Sequence, residues 1–301
     1  MTISHAALDE TSRRLMAELG PVWGQDILKH RDLVLAAYNP ILERAPKAGV
    51  AVTRDIPYGS HPRQVLDLFV PPGAVNCPVA MFVHGGAFVR GNKRITAEVF
   101  DNVLVWFARQ GFLGVNVEYR LAPESPYPGG ADDLALAIEW VRANGRQHGG
   151  DPTSIFAIGH SAGGAHVGTY TYDPAAGYLG RNLKGIVLIS ARLRVDVLHE
   201  NPNSAGVRAY FGDDPPLYEE RSPLIHAAAS RLPVMIAIAE FENPLLDLYG
   251  LELAWRIAMT RRSAPRFLRL AGHNHVSMMA HFNTVEDTLG GEILEFTQRL
   301  V

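Results

Sequence analysis

The sequence predicts an α/β fold: a mostly parallel sheet of about eight strands, helices on both faces, and an N-terminal helical cap. Two observations predict it. From Val79 onward, short continuously apolar runs alternate with stretches of helical length, as strands buried on both faces require. Just before them, Val50–Ile56 and Gln64–Val70 alternate apolar and polar around Tyr58-Gly59-Ser60, an antiparallel pair with one wet face.

Residues 1–45 read as two helices forming a cap segment, with residues 46–301 as the α/β domain. Leu8, Leu15, Met16 and Leu19 space the first helix; Ile27, Leu28, Val34, Leu35 and Tyr38 space the second. Gly20-Pro21-Val22-Trp23-Gly24 breaks them. Further strands are expected at Val79–Val83, Phe112–Val117, Ile155–Ile158, Gly185–Ser190, Val234–Ala239 and Arg266–Leu270. Helices are expected at Ile95–Gln110, Ala131–Asn144, after Ser161, at Leu246–Thr260 and from about Glu286. The stretch 196–232, rich in Pro, Asn, Gly and Tyr, has no clear period and reads as an excursion on the rim of the site.

With 301 residues, 47% hydrophobic, the chain is long enough for a substantial core. A net charge of −3 implies no basic face, so nucleic acid is not an expected partner. No apolar run approaches a membrane span, and the first twenty residues show no signal-peptide core. The single Cys77 forms no internal disulfide and fits a reducing compartment, so the expected location is cytoplasmic. No Cys/His cluster has zinc spacing, and neither metal nor organic cofactor is expected. Assembly as a homodimer stays open.

The chemistry centres on Gly159-His160-Ser161-Ala162-Gly163-Gly164. An apolar strand precedes it and small, helix-starting residues follow. A serine on so tight a turn is forced into a strained backbone, and its near neighbours must be almost free of side chains. The following helix aims free N–H groups at the same spot, which suits an oxyanion. Upstream, Met81-Phe82-Val83 runs into His84-Gly85-Gly86-Ala87-Phe88, whose glycines let the backbone approach a ligand and turn N–H groups inward. A serine nucleophile needs a base and an orienting carboxylate. Glu240, Glu242 and Asp247 follow the strand ending at Ala239; His273 and His275 follow the strand ending at Leu270.

These segments, with Tyr119-Arg120-Leu121-Ala122-Pro123-Glu124, resemble the HGG-motif esterases of the α/β-hydrolase fold, the hormone-sensitive-lipase-like group. The chain is also similar to arylformamidases. The resemblance implies Ser161 as nucleophile, His275 as base by its spacing from Gly272, and Glu242 as acid where the family usually has aspartate. It implies an oxyanion hole of Gly86, Ala87 and Ala162, with Ala87 standing where many members have a third glycine. Trp23 and Phe88 are candidates for lining the substrate pocket, or for packing. Tyr119, Arg120 and Glu124 read as structural ties, and Asp132 and Asp133 as acids complementing a helix dipole.

The implied activity is a serine carboxylesterase acting on short- to medium-chain esters, with a small-molecule ester as partner. An N-formylkynurenine-type amidohydrolase and a non-catalytic receptor on the same fold are the alternatives.

Overall fold

A computed structural model describes residues 9–301; the expectations on residues 1–8, Leu8 and the early signal-peptide region among them, lie outside the described residues. The sheet has eight strands in the order β1-β2-β4-β3-β5-β6-β7-β8. They are β1 Ala51–Pro57, β2 Val65–Val70, β3 Cys77–Val83, β4 Leu113–Val117, β5 Gly150–His160, β6 Gly185–Ile189, β7 Val234–Phe241 and β8 Arg266–Asn274. β1 pairs antiparallel with β2, and β2 antiparallel with β4; the remaining pairings are parallel.

Ten α-helices accompany the sheet among the described residues: α1 Glu10–Leu19, α2 Ile27–Arg44, α3 Asp101–Arg109, α4 Gly129–Asn144 and α5 Ala162–Tyr172, then α6 Ser204–Phe211, α7 Pro216–Glu220, α8 Leu246–Arg261, α9 Ser277–Ala280 and α10 Thr288–Gln298. None is long and apolar enough to cross a membrane.

Val79–Val83 of β3 and Ile155–Ile158 of β5 are apolar throughout because successive side chains enter two different cores. Ala80 and Phe82 of β3, with Phe156 and Ile158 of β5, join one core with residues of α1, α2, α3 and α10. Val79, Met81 and Val83, with Ile155 and Ala157, join the other with residues of α4, α5 and α8. Such wholly buried central strands hold β5 and its C-terminal turn rigidly.

The N-terminal segment folds as two helices broken by a 3₁₀ turn at Gly20–Gln25. Asp9 caps α1 by accepting from the Ser12 amide at 2.7 Å, and Asp26 caps α2 by accepting from the Lys29 amide at 3.1 Å.

Three local expectations are corrected. The helix expected from Ile95 begins only at Asp101. Side chains claim the backbone before it: Thr96 Oγ1 accepts from the Glu98 and Val99 amides, and Asn102 Oδ1 accepts from Phe100, whose φ is +87°. The excursion 196–232 contains α6 and α7; Val207, Tyr210 and Phe211 pack with Phe88 in a third, small core. An apolar stripe only two turns long is too short to show as a period. Of the two acids expected to complement the α4 dipole, Asp132 stands in the first turn, but Asp133 lies beyond it and is fully buried. It accepts from Gln64 Nε2 at 2.8 Å, the Arg120 amide at 2.8 Å and Arg120 Nη2 at 2.7 Å. Arg120 is thereby a tie, as is Tyr119, whose hydroxyl donates to the His84 carbonyl at 2.8 Å; Glu124 is exposed and pairs with His61 at 3.1 Å.

Candidate active site

β5 ends at His160 and α5 begins at Ala162, so Ser161 alone makes the turn, with φ +56° and ψ −119°. A non-glycine residue there is strained. The strain is held by backbone bonds: the Ser161 amide donates to Ile189 O at 3.0 Å, and its carbonyl accepts from the Arg192 amide at 3.1 Å. The glycines around it are sterically required. A Cβ on Gly159 would lie 2.6 Å from Gly164 Cα, and one on Gly163 would overlap the Val83 carbonyl.

Ser161 lines a cavity of about 180 Å³ with Gly85, Gly86, Ala87, His160 and His275. The loop after β3 forms one wall. Gly86 has φ +151°, and a Cβ there would overlap the Arg90 carbonyl; Ala87 and Phe88 follow at φ +51° and +70°. The loop is pinned by Arg90 N donating to Gly86 O at 3.1 Å and Ala122 N donating to Phe88 O at 3.0 Å. Beneath it, His84 Nδ1 lies 2.7 Å from Gly85 O, and His84 Nε2 lies 3.2 Å from Glu118 Oε1. Glu118 also receives Arg63 and, at 2.7 Å, the Lys93 amide. Burial pushes the Glu118 carboxyl up, but His84, the Lys93 amide and Arg63 outweigh it and hold it below the usual range. No hydrogen bond among the described residues uses the N–H groups of Gly86, Ala87 or Ala162.

β7 delivers Glu242 and β8 delivers His275. Glu242 Oε2 lies 3.0 Å from His275 Nδ1. Glu242 is fixed in turn: Oε1 accepts from the Ala239 amide at 2.9 Å and from the Ser190 hydroxyl, and Oε2 from the Asn243 amide at 3.2 Å. The two other acids turn elsewhere. Glu240 accepts from the Gly272 amide at 2.7 Å and from Arg269 at 3.1 Å, and Asp247 lies in the first turn of α8 with no bond to His275. His273 faces Ser277 Oγ at 3.1 Å, away from Ser161, and burial pushes its pKa down to about 4. No hydrogen bond joins Ser161 Oγ to His275; the two side chains face one cavity, and such contacts often tighten only when substrate is bound.

His160 packs its ring 4.6 Å from that of His275, and its Nε2 lies 3.0 Å from the His275 carbonyl oxygen. Burial and the neighbouring His275 push His160 well below the ordinary histidine range, so it is neutral and can hold the His275 loop by donating from Nε2.

The two aromatic candidates are corrected. Trp23 is 1% exposed and does not line the cavity; its Nε1 donates to Asn243 Oδ1 at 2.8 Å, so it supports a wall residue. Phe88 is also 1% exposed, stacked on Tyr210 at 4.8 Å in the third core. Ile27, Leu28, Arg31, Arg90, Asn203 and Asn243 do line the cavity. They come from four separate segments, and no local motif marks them. Ser190 is likewise unmarked, being simply the end of an apolar strand. Among the described residues no group of three or more His, Cys, Asp or Glu side chains could hold a metal ion.

Comparison with solved structures places this architecture. A bacterial heroin esterase superposes with a TM-score of 0.71 over 96% of this chain and 98% of that one, at 21% identity. An esterase from the archaeon Pyrobaculum calidifontis gives 0.68 over 97% of each chain, also at 21% identity. The chain has the α/β-hydrolase fold. Residues 66–174 match the BD-FAE family model. Esterase LipC of Mycobacterium tuberculosis is 36% identical over 152 residues, 46% of this chain and 37% of that protein. Carboxylesterase NlhH of the same organism is 43% identical over 94 residues, 30% of this chain and 27% of that protein. The chain thus spans about a third of the length of the curated relatives it matches.

Proposed function

We propose that the protein is a serine carboxylesterase that cleaves short- to medium-chain esters through an acyl-serine intermediate. One observation carries the reading: Ser161, on a strained strand-to-helix turn, shares a cavity with a histidine whose Nδ1 is bonded to a buried carboxylate. Glu242 fixes the tautomer with the proton on Nδ1, which leaves Nε2 free to take the Ser161 proton as the hydroxyl attacks the carbonyl. Glu242 then balances the imidazolium. The unclaimed N–H groups of Gly86, Ala87 and Ala162 receive the oxyanion, the last at the positive end of α5. Collapse expels the alcohol with the proton from His275, and water repeats the sequence to release the acid. The similarity to LipC and NlhH supports ester rather than amide substrates.

The test is a panel of p-nitrophenyl esters of graded acyl length, with N-formylkynurenine alongside. Turnover of the short and medium esters is expected. Hydrolysis of N-formylkynurenine in preference to every ester contradicts the reading.

A second copy of the chain is the proposed partner for α8. Leu248, Leu251, Trp255 and Met259 form one stripe along it, each about half or more exposed. Light scattering of the wild type should give a dimer and Trp255→Glu a monomer; a wild-type monomer at micromolar concentration removes the proposal.

A further inference from the structure

The Ser161 cavity is lined by two arginines, Arg31 from α2 and Arg90 from the loop that holds Gly86 and Ala87. Among the described residues no carboxylate lines that cavity. General basicity does not explain this, because the chain has 28 Lys and Arg against 31 Asp and Glu. Arg90 is tied to the reacting end by its own amide, which donates to Gly86 O at 3.1 Å. Its guanidinium donates to Asn203 Oδ1 at 3.1 Å and has no carboxylate partner among the described residues. Among the described residues Arg31 meets only its chain neighbour Asp32, at 2.7 Å, with both side chains exposed, so little of its charge is neutralised.

Arg90 also stands between two spaces. An adjoining cavity of about 380 Å³ shares Ile27, Leu28, Arg90, Asn203 and Asn243 with the first. Asp26, the one carboxylate among its described lining residues, is engaged as the cap of α2. A substrate whose ester reaches Ser161 would therefore extend along Ile27 and Leu28 and present its far end to a fork of N–H donors. Guanidinium groups bind carboxylate and phosphate oxygens in this way, and the pairing is stronger than one between neutral groups.

We propose that the preferred ester carries a second, ionised acid group, held by Arg90 with support from Arg31. The proposal rests on the ester-hydrolase reading of the same cavity. The anion can belong to the acyl or the alcohol side, and matched pairs separate these. Methyl hexanoate against monomethyl adipate probes the acyl side; butyl acetate against 4-acetoxybutanoate probes the alcohol side. In one pair, kcat/KM for the anionic ester should exceed that for the neutral one by about tenfold at low ionic strength, as expected for one charge-assisted hydrogen-bonded pair. Added salt at 0.5 M should shrink the ratio, since its screening length is only about 4 Å. Arg90→Gln should lower the ratio about tenfold, and Arg31→Gln should lower it less. Preference for the neutral ester in both pairs, or a ratio that neither variant moves, overturns the proposal while leaving the esterase reading intact. Failure to hydrolyse any of the four overturns both.

Discussion

Glu242 Oε2 lies 3.0 Å from His275 Nδ1, and every other contact of that carboxylate holds it there: the Ser190 hydroxyl, the Ala239 amide and the Asn243 amide. In the proposed mechanism this carboxylate sets the tautomer and balances the imidazolium. Glu242→Gln keeps the shape and removes the charge, so kcat should fall by roughly 10²–10⁴-fold with KM little changed. Asp247→Asn and Glu240→Gln, whose side chains do not reach His275, should each cost less than about tenfold. Steady-state kinetics on a neutral p-nitrophenyl ester decide it; a crippled Asp247→Asn beside a near-normal Glu242→Gln contradicts the assignment.

The two histidines of the β8 loop should separate as sharply. His275→Ala should remove about 10³-fold or more of kcat, whereas His273→Ala, bonded to Ser277 outside the cavity, should act on activity far more mildly. Equal losses at both positions, with both variants folded, would leave His275 without its proposed role.

The readable parts of the site are those whose chemistry needs neighbours in sequence. Gly159, Ser161 and Gly163 stand together because one turn must hold all three. Gly85, Gly86 and Ala87 follow β3 for a similar reason. Glu242 and His275 lie at the ends of neighbouring parallel strands, a position that apolar runs reveal. The parts not readable depend on contacts between distant segments. Trp23 reaches Asn243 across 220 positions, and Asp133 reaches Gln64 across 69, so nothing local marks either as buried and bonded. Nothing in the sequence links Arg31 with Arg90; the fold sets both on one wall. The helix expected from Ile95 failed because Thr96 and Asn102 offer the backbone a competing set of bonds.

Buried histidines make stability fall on the acid side. Burial pushes His273 down to about 4 and, with neighbouring charge adding to it, His166 and His281 down to about 3. Below the ordinary value of 6.5, the unfolded chain binds these protons and the folded protein does not. Stability therefore rises with pH across the window from about 4 to 6.5 and is lost as pH falls through it, by up to about 1.4 kcal/mol per pH unit for each such group. Urea midpoints at pH 7.5, 6 and 5 should fall in that order. His166→Phe should flatten the trend, since neither ring nitrogen of His166 has a hydrogen-bond partner to lose among the described residues. A midpoint that is flat from pH 7.5 to 5 contradicts the account.

Ser161→Ala tests the central claim most directly. The substitution removes the hydroxyl and keeps the turn, so the variant should melt with the wild type. Its kcat/KM on p-nitrophenyl butyrate should fall by about 10³-fold or more. A folded Ser161→Ala protein that hydrolyses the ester at near wild-type rate would contradict the account.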